Sequence, residues 1–192
     1  MKSFAPSEEK WNELRIAYAD AMWQWAMIEA EIFTIYVAAL KALKRDLRPL
    51  RAAFFATQSF EVKLAMVTAA AQKTFGPRRL KVWSALAKRC RDEQTKRGKI
   101  AHLTGYCFPP KKPGQPGPVY VVTEPLWHRA HPPDWGTAKS QGYDAFKLRQ
   151  LHGAWYALDI EIGRFAKQLW GKLPLPVLDV QQARQRRATR RQ

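Results

Sequence analysis

Trp11–Ala42 reads WNELRIAYADAMWQWAMIEAEIFTIYVAALKA. Apolar or small residues recur in it at alternating steps of three and four: Trp11, Leu14, Tyr18, Ala21, Trp25, Ile28, Ile32, Ile35, Ala39 and Ala42. Such steps place side chains on one face of an α-helix, whereas a strand needs alternation by two. The spacing predicts a single helix of roughly 50 Å, at about 1.5 Å per residue, from a cap at Ser7 to a stop at Pro49. Glu8 and Glu9 fall in its first turn, where carboxylates favour the helix dipole. Met22, Phe33, Tyr36 and Leu40 widen the stripe beyond what a two-stranded coiled coil buries, so the helix belongs in a bundle.

Beyond it, Arg45, Arg48 and Arg51 lie in a short connector. A second helix is expected over about Thr57–Phe75, with Phe60, Leu64, Val67 and Ala71 inward and Gly76-Pro77 as its stop. A third starts at Pro77 along the seam Leu80, Trp83, Ala87, Cys90, Gln94, Arg97, Ala101. That seam is apolar at its start and polar in its last two turns, which suits a site or a subunit boundary better than a core. Residues 105–136 hold eight prolines and four glycines, which no continuous helix tolerates. Within them Pro113–Pro118 reads as a turn between two extended pieces, Gly105–Phe108 and Val119–Thr123, so a short β-hairpin is allowed. The last helix has Asp144 as N-cap and Tyr143 with Leu148 as a hydrophobic staple. Its seam is Leu148, Leu151, Trp155, Leu158, Ile162, Phe165 and Leu169, stopped by Gly171 and Pro174.

No internal repeat is present. The fold expected is an all-α, four-helix, largely antiparallel bundle, with a Pro/Gly-rich insertion at 105–140 before the last long helix. Residues 1–173 form one domain, and 174–192 form a basic tail expected to be disordered and open to a polyanion.

The 192 residues carry 33 Lys and Arg against 16 Asp and Glu, a formal charge of +17. Such a surplus favours a polyanionic partner, nucleic acid ahead of membrane. The start, MKSFAPSEEKW, has no apolar signal region, and the uncharged run Ile32–Leu40 is far short of the roughly 20 residues that span a bilayer. Cys90 and Cys107 make no disulfide framework, so a reduced, cytoplasmic protein with no membrane partner is expected. The chain lacks a Walker loop, a GxGxxG after a strand, HExxH, GxSxG and CxxC. Cys107, His128 and His131 fit no common zinc spacing, and neither a metal nor another cofactor is expected. His152 falls beside a helix seam, where a satisfied, half-buried histidine is the ordinary outcome.

The chemistry-bearing stretch is Arg89–Thr104, RCRDEQTKRGKIAHLT. Between Arg78 and Lys99 nine cations face only Asp92 and Glu93. Lys88, Arg89, Arg91, Lys96 and Lys99 therefore make either a surface for RNA phosphates or a plain solvated face. Arg97 and His102 are the candidate catalytic pair. A histidine moves protons near neutral pH and can activate a ribose 2′-hydroxyl, while an arginine stabilises charge growing on phosphate oxygens. Five positions apart, they point about 140° from each other on an ideal helix. They converge only where the helix ends near His102, for which Leu103-Thr104-Gly105 is suited, or where a second subunit completes the site. Glu93, four residues before Arg97, is placed to orient its guanidinium or to act as a plain surface pair. Tyr106 is placed to stack on a base or to pack.

Lys96–His102, KRGKIAH, late in the third helix of a four-helix bundle, resembles the Arg-x4–6-His motif of HEPN domains. The resemblance implies that Arg97 and His102 match that family's functional positions. It further implies a metal-independent endoribonuclease of toxin, phage-defence or RNA-processing type, and a homodimer in which two motifs share a cleft. A cognate antitoxin or other protein partner would accompany the toxin type. Two positions depart from the family pattern: Gly98 follows the arginine where a polar residue is usual, and Leu103 follows the histidine where glycine is frequent. Two alternatives stand beside it, a non-catalytic helical module binding nucleic acid or protein, and a structural dimerisation bundle whose charge serves solubility.

Overall fold

The long apolar seam folds as α1, Glu8–Ala39, in a computed structural model that describes residues 8–41, 46–101, 103–107, 119–123 and 142–171. Leu14, Ala21, Trp25, Ile28, Ile32 and Ile35 are buried along it, as their spacing requires. The other helices are α2 (Arg48–Ala56), α3 (Phe60–Thr74), α4 (Pro77–Ala101) and α5 (Ala145–Trp170). The strands β1 (Leu103–Cys107) and β2 (Val119–Thr123) pair antiparallel, from Leu103 opposite Thr123 to Cys107 opposite Val119. The helical bundle and its hairpin are thus present, β1 starting two residues before Gly105. Ser7, the turn Pro113–Pro118, His128, His131, Pro174 and the arginine tail lie outside the described residues.

Side-chain caps set two of the helix starts. The Ser59 hydroxyl accepts from the Val62 N–H at 3.3 Å, and the Asp144 carboxylate accepts from the Lys147 N–H at 2.8 Å. Gly171 ends α5 at φ 65°, a conformation that a side chain would strain.

Two expectations need correction. α1 stops at Ala39, well short of Pro49, and Pro49 instead sits in the first turn of α2, where its missing N–H forgoes no bond. The connector is therefore helical. Its Phe54 is fully buried against Phe33 and Tyr36, with ring centroids 5.3 and 5.7 Å apart. The second correction concerns direction. α4 runs antiparallel to α3 and α5, as expected, but α1 runs parallel to α5. Glu13 pairs with Arg149, Gln24 with Asp159, and the Thr34 carbonyl with the Trp170 indole, so both helices ascend together. α2 is the cause: it ends beside Phe33, and α3 then starts at mid-α1, where Phe60 meets Trp25 at 4.8 Å and Lys63 meets Glu29. The chain has returned along the bundle before α3 begins, so α3 climbs with α1.

Trp25 joins three helices. It packs on Phe60 of α3 and, edge-on at 5.2 Å, on Trp155 of α5, while its indole N–H donates to Glu29 at 3.0 Å. The other Glu29 oxygen accepts from Lys63 at 2.6 Å. Lys63 is only 5 % exposed, and its ammonium also stands 5.6 and 5.5 Å from the Phe54 and Phe55 rings. A buried cation with one carboxylate and two aromatic faces is satisfied as a set and stranded if the carboxylate goes.

Higher on the α1–α5 seam, Gly163 has no Cβ, and the Glu31 carboxyl fits beside it, 3.6 Å from where that carbon would be. Burial, then the neighbouring Asp159, hold the Glu31 carboxyl above its ordinary range, with Lys167 opposing. Asp159 is raised as well, by burial, against a lowering hydrogen bond from Gln24.

Glu29→Ala should lower unfolding free energy by about 3–5 kcal/mol in urea titrations, because it leaves Lys63 buried without a counter-charge. Adding Lys63→Met should recover most of that loss. Because both seam carboxyls titrate higher folded than unfolded, their contribution is full below the ordinary carboxylate range and is lost as pH rises through the folded values. Glu31→Gln should therefore raise Tm at pH 7 and leave it unchanged near pH 4, as thermal melts at the two pH values would show.

Candidate nucleic-acid site

α4 carries the chemistry because its stripe changes character along its length. Trp83, Leu86, Ala87 and Cys90 are buried, and then Gln94 and Arg97, on the same side, are half-buried. The bundle gives the reason. Arg91 reaches Glu61 in the first turn of α3 at 2.8 Å, so α3 begins at that level. Past it, α4 continues for more than two turns, with β2 packed against both α4 and α1, and Val119 of β2 buried.

Arg97 is the unusual group here. Its Nε is buried and has no hydrogen-bond acceptor among the described residues. Neighbouring cations of α4 are matched: Arg89 with Glu161, Arg91 with Glu61, and Lys96 with Glu93 at 2.7 Å. A half-buried guanidinium without a carboxylate is a place for an anion, and its planar donors suit phosphate oxygens.

Glu93 is committed elsewhere. One oxygen accepts from Lys96, and the other accepts from the Trp155 indole N–H of α5 at 2.9 Å. Its hydrogen bonds thus tie α4 to α5, in place of the expected hold on Arg97. The seam residue Trp155 was legible as core, but its N–H is a donor that a buried setting must satisfy, and Glu93 does so.

The basic residues do not form one surface. Lys88 and Lys99, eleven positions apart, share an exposed stripe that points away from the Arg97 side at about 100° per residue. Arg89 leans to α5 and Arg91 to α3. Lys96 flanks the site through Glu93. Tyr143, just before the Asp144 cap, also belongs to this neighbourhood. Half-buried against the core, its hydroxyl is pushed up by burial, with Lys96 lowering and Glu93 raising it. The sequence offered no sign of this, since the hairpin segment separates Tyr143 from α4.

α4 ends at Ala101 and β1 begins at Leu103, so the helix stops where the motif needs it to. His102 itself, with the side chains of Tyr106 and Cys107, lies outside the described residues. His152 is half-buried and stacks on Tyr156, with ring centroids 6.4 Å apart. Among the described residues no three His, Cys, Asp or Glu side chains gather as metal ligands, and no helix is long and apolar enough to cross a membrane. A cleft of about 240 Å³ opens between the starts of α1 and α5, lined by Lys10, Leu14, Val119, Asp144, Phe146 and Arg149, with no α4 side chain in it.

Cys90, on the Arg97 stripe, is no nucleophile: burial pushes its thiol up to about 12, outweighing the lowering by Arg89 and Arg91. In a Cys107→Ser background, a thiol reagent at pH 8 should modify Cys90 only at the rate of unfolding, followed by mass spectrometry. Rapid labelling of the native protein would show the thiol to be reachable. Comparison with protein-family models, with curated proteins and with solved structures finds no match for this chain.

Proposed function

We propose that the chain binds RNA phosphates at Arg97 and cleaves RNA there as a HEPN-like, metal-independent endoribonuclease, with His102 as the proton-transfer group. The observation that carries the reading is the half-buried Arg97 guanidinium, its Nε without an acceptor, at the end of a helix with nine cations and two acids. The motif KRGKIAH supports it, as does the stop of α4 one residue before His102.

In this mechanism His102 takes the proton of a ribose 2′-hydroxyl, and the oxygen attacks the adjacent phosphorus. The bond to the 5′-oxygen breaks, that oxygen takes up a proton, and a 2′,3′-cyclic phosphate remains. Arg97 holds the non-bridging oxygens as negative charge grows on them. No bound metal enters these steps.

A second reading, binding without turnover, draws on two observations. Glu93 is held by Trp155 and Lys96, and nothing stands within 4 Å of where a Gly98 side chain would begin. The polar group usual after the arginine is therefore missing, with open space in its place.

His102→Ala should lower cleavage of single-stranded RNA by about 10²–10⁴-fold while leaving RNA affinity intact. Arg97→Ala should weaken both, with the fold unchanged by circular dichroism. A 2′-deoxy substitution at the cleaved position should block the reaction, and a chelator should not. Full cleavage by the His102 variant in a clean preparation would remove the nuclease reading. Salt-dependent binding by wild type with no turnover would select the second, and wild type that neither binds nor cleaves would sink both.

A further inference from the structure

α1 is the one described helix with a surplus of acid. It carries Glu8, Glu9, Glu13, Asp20, Glu29 and Glu31 against Lys10 and Arg15, in a chain of net charge +17. Its outward side also carries large apolar residues. Gln24 and Asp159 meet in the seam between α1 and α5, and one residue to the outer side of each stand Trp23 and Ile160. Trp23 is 59 % exposed, Ile16 61 %, Tyr156 53 % and Ile160 36 %. α4 packs on the other side of α5, through Trp155 and Glu161, so this face is separate from the Arg97 site.

From this we infer that the outer face of the α1–α5 pair is where a second copy of this chain docks. Three observations select that occupant. The first is charge. Glu9 and Asp20 share the outer stripe of α1 with Ile16 and Trp23, while Arg164 follows Ile160 by one turn on α5. A twofold axis parallel to the helices lays α1 of one copy against α5 of the other, bringing acid opposite base. Elsewhere two such cationic chains repel, and nucleic acid is repelled from α1 itself.

The second is Gly153, on the α5 stripe that continues through Ala157, Ile160 and Arg164. Glycine weakens a helix interior relative to alanine. Nothing lies within 4 Å of the site of its missing Cβ, so no contact within the chain calls for it. A helix backbone from outside, seated on Gly153 and Ala157, does. The third is area. Four exposed side chains, two of them aromatic, present roughly 400 Å². That is about half of what each partner in a stable interface covers, and a polar rim supplies the rest.

The test is sedimentation of the nuclease-treated, full-length protein at high salt, up to about 100 µM, where even a micromolar dimer is populated. Wild type should be dimeric. Trp23→Ala should raise the dimer dissociation constant about 30-fold, as the loss of an interface hot spot does. Gly153→Gln should prevent dimerisation while keeping or raising thermal stability, because the space around it is open within one chain. Asp20→Arg should weaken the dimer, and adding Arg164→Asp should restore it. Arg97→Ala should leave it intact, which keeps this inference separate from the fate of the nuclease reading. A monomeric wild type, or a Gly153→Gln chain that dimerises as tightly as wild type, overturns it.

Discussion

The contact between α1 and α5 governs the architecture. They lie side by side and run the same way, from Glu13 with Arg149 to Thr34 with Trp170, with the Trp25–Trp155 contact between. Two parallel helices cannot be joined by a single short turn, so the intervening chain must travel back. α2 makes one return, letting α3 start at mid-α1, and α4 makes the other, descending between α3 and α5. Glu29 and Lys63 secure the first return, and Glu93 with Trp155 secures the second. Both fastenings place a carboxylate against an indole N–H and an ammonium, which gives each half-buried acid a full set of donors.

The place of Arg97 follows from this route. Because α3 enters at the level of Trp25, the last turns of α4 run on below it, where only α1, α5 and the hairpin are neighbours. A stripe continued from Trp83 through Cys90 thus leaves the packed interior while still pointing inward. A guanidinium there is partly desolvated yet unpaired, a condition in which an incoming phosphate gains more than it would from a fully hydrated lysine such as Lys99.

Much of this was readable from the chain. The three-and-four spacing from Trp11 to Ala39 fixed α1, Asp144 marked the start of α5, and the change from Cys90 to Gln94 and Arg97 marked the site. Pro49 was ambiguous, because a proline that stops one helix and a proline that opens the next look alike when the intervening turn has no strong signal. Helix direction was not readable, since it rests on pairs such as Gln24 and Asp159, which are 135 residues apart. Nor did spacing reveal the partner of Glu93. Periodicity reports which face of a helix is buried, not which neighbour supplies the hydrogen bond.

The separation of acid onto α1 and base onto α4 also shapes how the molecule behaves at a distance. Opposite surpluses on different helices give the folded chain an electric dipole as well as a net charge. In the field of a polyanion that dipole experiences a torque, so the protein arrives already turned, with α4 leading and α1 trailing. Orientation would thus be settled before contact, over a range that shrinks with the screening length as ionic strength rises.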